Sequence, residues 1–142
     1  MSREIILTEN APTPGNYSQA IKVSGPGCWI LLSGQTGNLP PTKDNAESVV
    51  EGGAGPQTRQ ALINLEAVLK EAGASPSDIV RTRVYLTDLE VNWAACQKAY
   101  VDYFAHNGIS KEKLPARSTI EARVPFPNEN VVEIEADAFI PI

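Results

Sequence analysis

The segment Val131–Phe139, VVEIEADAF, alternates without a break and constrains the fold more than any other. Val132, Ile134, Ala136 and Ala138 point one way, and Glu133, Glu135 and Asp137 point the other, because successive side chains of a strand face opposite sides. Three carboxylates therefore line one strand face. Like charges on neighbouring strands are unfavourable and opposite charges are favourable. An earlier segment, Ile79–Leu86 (IVRTRVYL), supplies the complement, because Val80, Thr82, Val84 and Leu86 alternate there with Arg81, Arg83 and Tyr85. The two strands are expected to lie side by side, with arginines neutralising acids.

The remaining pattern fills in the layers. Ile5–Leu7 and Ala20–Ser24 read as strands, separated by the turn-rich APTPGNYSQ. Cys28–Ser33 (CWILLS) is a continuous apolar run, expected as a strand buried on both faces. With the turn at Pro26-Gly27 it should form a hairpin with Ala20–Ser24. Residues 37–55 form a long acidic loop rich in Pro and Gly, a type often functional or mobile. Pro56 suits the first position of a helix. Leu62, Leu65, Leu69 and Ala72 then recur at helical spacing, and Gly73 is a stop. A second helix is expected over about Val91–Ala105, with Trp93, Cys96, Tyr100 and Phe104 as a core stripe. Ser118–Arg123 and Val131–Phe139 close the chain as strands, across the Pro-rich turn VPFPNEN. The order β-β-β-α-β-α-β-β suits an α+β domain spanning residues 1–142, with two helices on one face of a mixed sheet. The other face, apolar and charged, would be covered by self-association.

Charge and composition narrow the function classes. Twelve basic and 17 acidic residues give a net charge of −5, with no Lys/Arg cluster. Phosphate-backbone binding relies on clustered positive charge, so nucleic acid is not an expected partner. No apolar run is long enough to span a bilayer. The start, MSREIILTEN, lacks the pattern of a secretory leader, and its early acids argue against a mitochondrial one. The expected location is the cytoplasm. Cys28 and Cys96 lie far apart and read as small apolar residues. His106, the single histidine, ends a helix. One His and no paired Cys leave almost no material for zinc, so no metal site is expected.

Arg117, in LPARSTIE, stands at the mouth of a strand, where its rigid fork suits a carboxylate. On local sequence alone, an ion pair with Glu121 or Glu133 is the favoured role.

Several segments together alter that balance. GNYSQAIKV at 15–23, LLSGQTG at 31–37, QTRQALINLEAVLKEAGAS at 57–75, VRTRVYLTDL at 80–89, PARSTIEARVPFP at 115–127 and VEIEA at 132–136 resemble the reactive intermediate deaminase (RidA, YjgF-like) family, in the family's order. The resemblance implies a chorismate-mutase-like fold, a homotrimer and sites in clefts between subunits. It implies hydrolysis of reactive enamines or imines to 2-oxo acids and ammonia, without a cofactor. Arg117 matches the family's carboxylate-binding arginine, Glu133 the glutamate that holds the attacking water, and Tyr17 the tyrosine that reaches into the cleft. Ser33 and Gly34 match pocket-lining positions. Thr119 stands where family deaminases often have Cys, and Gln97 where an asparagine often lines the pocket. Those departures admit two alternatives: a paralogue with a specialised substrate, such as a 2-aminomuconate-like one, or a trimer that binds a carboxylate metabolite without turnover. A ribonuclease, an activity attributed to some members, is disfavoured by the charge.

Overall fold

The computed structural model describes residues 3–44, 48–124 and 129–142. Its elements are β1 (Arg3–Ile6), β2 (Ala20–Val23), β3 (Gly27–Thr36), β4 (Asn38–Leu39), β5 (Ser48–Val49), α1 (Ala54–Glu71), β6 (Ile79–Leu86), α2 (Leu89–His106), β7 (Ala116–Glu121) and β8 (Val132–Pro141). Four strands make the main sheet in the order β3-β8-β6-β7. β8 runs antiparallel to β3 and β6, and β6 runs parallel to β7. The helices pack on each other and on the sheet, α1 against β3 and β8 and α2 against β6. The result is the α+β layering that the element order implied.

The alternation at the end of the chain explains why β8 is central. Val132, Ile134, Ala136 and Ala138 are all buried against the helices, in one core with Leu62, Leu65, Leu69, Val84 and Phe104. Slipping the strand by one residue would put the acids there instead. On the opposite face, Arg81 lies across from Asp137, Arg83 from Glu135 and Tyr85 from Glu133. Arg81 donates to Asp137 Oδ2 from Nε at 2.9 Å and from Nη2 at 2.7 Å. Arg83 Nη1 lies 3.4 Å from Glu135 Oε1, and the Tyr85 hydroxyl donates to that oxygen at 2.7 Å.

α1 begins two residues before Pro56. The first N–H groups of a helix lack intrahelical partners, so a proline within the first turn loses no hydrogen bond. The helix ends where Gly73 takes φ +79°, and the Ala74 N–H returns to the Leu69 carbonyl at 2.8 Å.

Several expectations are corrected. β2 pairs with β1 and not with β3, whose partner is β8. The ten-residue β3 gains a far longer ladder along β8 than the four residues of β2 could provide. β3 is also not buried on both faces: Trp29 is 53% exposed and Leu31 75%, because no described element covers that side of the sheet. In α2 the buried stripe is Cys96, Gln97, Tyr100, Tyr103 and Phe104. Trp93, a turn earlier at the margin of that stripe, is 42% exposed. Cys28 is exposed on β3, whereas Cys96 is buried. β7 starts at Ala116, so Arg117 lies within the strand and not at its mouth. The expected 37–55 loop contains the small β4–β5 ladder and the start of α1, with residues 45–47 outside the described residues. Residues 125–128 of the Pro-rich turn also lie outside them.

Candidate active site

The parallel pairing of β6 and β7 decides where Arg117 goes. Arg117 sits opposite Thr82 and Thr119 opposite Val84, so both turn toward the helices. There the Arg117 guanidinium carbon lies 4.7 Å from the centroid of the Tyr100 ring, a cation–π distance. The Tyr100 hydroxyl shares a 2.7 Å hydrogen bond with Thr82, and both residues are fully buried. The Tyr17 ring lies 5.8 Å from the same carbon. Tyr17 is held there by its neighbour: the Ser18 hydroxyl donates to the Leu114 carbonyl at 2.5 Å, and its N–H donates to the Pro115 carbonyl at 3.2 Å.

Gln97, on the buried face of α2, completes the group. Its Oε1 accepts from Arg117 Nη2 at 2.6 Å. Arg117 Nε and Nη1, Gln97 Nε2 and Thr119 Oγ1 are buried without a hydrogen-bond partner. A buried polar group left unpaired costs about 1–3 kcal/mol. The cluster is rich in donors and short of acceptors. Burial lowers the Arg117 pKa, yet no carboxylate neutralises it. Glu121 accepts instead from the Leu89 N–H at the start of α2, at 2.9 Å. Among the described residues Arg117 makes no ion pair, so the pairing that local sequence favoured does not form. Burial also pushes the Cys96 thiol up and the Tyr100 phenol up to about 12. Neither offers an anionic nucleophile near neutral pH.

A second group forms on the open face. Glu133 lies between Thr36 of β3 and Tyr85 of β6. A register shift between Leu32 and Gln35 leaves Ser33 and Gly34 as a bulge beside it. A Cβ at Gly34 would stand 2.5 Å from Glu133 Oε1, so the missing side chain lets the carboxylate lie against the strand. The entry to β8 is pinned from α1. Buried Gln57 donates to the Glu129 carbonyl at 2.9 Å and accepts from the Val131 N–H at 2.8 Å. Asn130 Oδ1 accepts from the Gly37 N–H at 3.0 Å. Glu135 and Asp137 have partners in the acidic row. Glu133 has no side-chain hydrogen bond or ion pair among the described residues.

The seven residues singled out in the sequence thus fall into two sets. Arg117, Tyr17, Gln97 and Thr119 meet on the helix side of β7. Glu133, Ser33 and Gly34 meet where β3 adjoins β8, with the Glu133 carboxylate on the open face. Within one chain Arg117 and Glu133 lie on opposite faces of the sheet, with β6 between their strands. Sequence reasoning missed Tyr100 and Thr82 as the support under Arg117. The available signal was Tyr100 one helical turn beyond Gln97 on the same stripe. Among the described residues no group of three or more His, Cys, Asp or Glu could hold a metal ion. No described helix is long and apolar enough to cross a membrane.

A two-helix layer on a mixed sheet, with a buried arginine fork at the edge strand, defines the class. Comparison with known proteins narrows it. Residues 8–140 match the family model described as Endoribonuclease L-PSP. A RutC family protein of Pyrococcus abyssi is 39% identical over 140 residues, covering 98% of each chain. A RutC family protein of Haemophilus influenzae is 36% identical over 139 residues, covering 97% of this chain and 98% of its own. Among solved structures, a conserved Rid family protein of Yersinia pestis superposes with a TM-score of 0.76 at 29% identity, covering 99% of this chain and 100% of its own. The YjgF gene product of E. coli gives 0.65 at 33% identity, covering 95% and 97%. The chain belongs to the YjgF/RidA family.

Proposed function

We propose that the protein is a cytoplasmic, cofactor-independent hydrolase of small 2-imino acids and their enamine tautomers, yielding 2-oxo acids and ammonia. The observation that carries this reading is the Arg117 cluster, a buried cation with unpartnered donors that a carboxylate would complete. Glu133 is the acid/base group. It takes a proton from water as the oxygen bonds to the imine carbon, and passes that proton to the nitrogen as the C=N double bond opens. It then takes the hydroxyl proton of the carbinolamine as the C=O bond forms, and returns it to the nitrogen, which leaves as ammonia when the C–N bond breaks. Such proton transfer is worth about 10²–10⁴-fold. Because one chain presents Arg117 and Glu133 on opposite faces, a complete site takes them from different copies. The exposed Trp29, Leu31 and Ile120 supply an apolar surface for the assembly, which we take to be the family's homotrimer.

A second reading, a trimer that holds a carboxylate metabolite without turnover, is favoured by Gln97, which already occupies part of the Arg117 fork. Ribonuclease action, named in the family description, is opposed by the net charge of −5.

A coupled assay tests the proposal. Threonine dehydratase generates the imine in buffer free of amines, and semicarbazide traps what persists. Suppression of semicarbazone formation by the native protein, but not by Arg117→Ala, is the expected result. No suppression by folded, assembled protein would leave the binding role or a specialised substrate.

A further inference from the structure

We infer that Gln97 is an internal stand-in for the substrate carboxylate: its side-chain carbonyl holds one arm of the Arg117 fork until an anionic group displaces it. The inference rests on the reading above, in which Arg117 receives a carboxylate.

Three observations carry it. First, the contact is short and part-buried. Gln97 Oε1 accepts from Arg117 Nη2 at 2.6 Å, and Gln97 is buried in α2. Second, the contact satisfies one donor and strands another. Gln97 Nε2 has no partner, nor do Arg117 Nε and Nη1 or Thr119 Oγ1 beside them. An amide built in solely to satisfy an arginine would have its own N–H groups paired as well. Third, the balance favours an anion. The amide offers one neutral oxygen. A carboxylate offers two charged ones with about four lone-pair sites, and pairs with a guanidinium through two parallel hydrogen bonds between opposite charges. When the anion enters, Nη2 exchanges a neutral acceptor for a charged one, a second guanidinium nitrogen gains an acceptor, and the freed amide can donate from Nε2.

The consequence is a filter on substrate class. A neutral carbonyl or imine compound offers no acceptor stronger than the amide it must displace. A carboxylate-bearing one does. Gln97 therefore weakens binding of every ligand at the fork by the same factor, so that a ligand whose own contacts only match the lost one gains little, and a carboxylate still binds.

The test turns on a sign. Titration calorimetry with 2-oxobutanoate, and with its neutral primary amide, is run on the native protein, Gln97→Ala, Gln97→Asn and Arg117→Ala. Folding and assembly are checked by circular dichroism and sedimentation. Gln97→Ala should bind 2-oxobutanoate about ten- to hundredfold more tightly, the range into which the net worth of one hydrogen bond from a charged donor converts. The amide probe should gain by the same factor while remaining the weaker ligand. Gln97→Asn, whose oxygen falls one methylene short of Nη2, should move the same way and carries the test if the alanine variant does not fold. Equal or weaker binding by the Gln97 variants would overturn the inference, making Gln97 an ordinary ligand contact or a packing residue. Arg117→Ala separates the two levels. Native affinity in that variant would overturn the carboxylate clamp itself. Lost affinity there, without tightening at Gln97, would overturn the stand-in alone. No binding by the native protein or by any Gln97 variant would overturn both.

Discussion

The two faces of the main sheet treat charge in opposite ways. On the open face, Arg81, Arg83 and Tyr85 meet Asp137 and Glu135 in a partly exposed lattice. Such pairs set register and contribute little to stability, because water competes for them. On the helix face, half-buried Arg117 has a neutral amide as its partner and two buried guanidinium nitrogens unpaired. Burial without a counter-charge is expensive, and a fold tolerates it where a ligand supplies the missing acceptors. The contrast separates structural charge from charge available for chemistry. It also singles out Glu133, which among the described residues has no side-chain hydrogen bond or ion pair on the face that is otherwise paired.

The largest expected effect breaks the helix-face cluster. Arg117→Ala should cost on the order of a hundredfold or more in kcat/KM if the fork clamps the substrate. Unchanged kinetics in a folded assembly would remove Arg117 from the site. Next comes the open face. Glu133→Gln should slow kcat about a hundredfold while leaving KM near native. Glu135→Gln, which alters a group already engaged by Tyr85 and Arg83, should do little. If the two variants behave alike, the division of the acidic row is wrong.

Joining the faces sharpens the comparison. When the inactive Arg117→Ala and Glu133→Gln chains are refolded together in equal amounts, about a quarter of the interfaces in a homotrimer should pair an intact Arg117 with an intact Glu133. Recovery of roughly that share of native activity is expected. Activity no higher than that of either variant alone, in proven mixed assemblies, would place both residues in one chain's site.

The smallest effect concerns the support beneath the arginine. Tyr100 keeps its proton in the folded state up to about 12, whereas an unfolded tyrosine loses it near 10. The folded state therefore binds more protons across that interval. Its stability is fully present below pH 10 and falls as pH rises toward 12, by about 2–3 kcal/mol from this group. Tyr100→Phe keeps the ring beside Arg117 and loses the Thr82 hydrogen bond. It should cost about 1 kcal/mol at neutral pH and flatten the alkaline decline, as read from urea midpoints against pH. An unchanged alkaline slope in Tyr100→Phe would show that another group titrates there.

Much of this molecule was readable from its residues. The unbroken alternation of β8, the complementary arginines of β6 and the leucine stripe of α1 each follow from a local period, 2.0 or 3.6 residues, set by backbone geometry. The six segments shared with the family also lie in the sequence, and with them Arg117, Glu133 and Tyr17. A period assigns side chains to faces and is silent about neighbours. That is why local pattern suggests a hairpin between β2 and β3 that does not form: both are strands, but the ladder goes to whichever partner offers the longer match. It is also why CWILLS read as doubly buried, since whether a face is covered depends on what packs there. The tertiary structure alone decided that Arg117 turns toward α2, that Gln97 reaches it, that Tyr100 lies beneath it and that Glu133 faces the other way. Those relations depend on contacts between residues distant in sequence, and no local period records them.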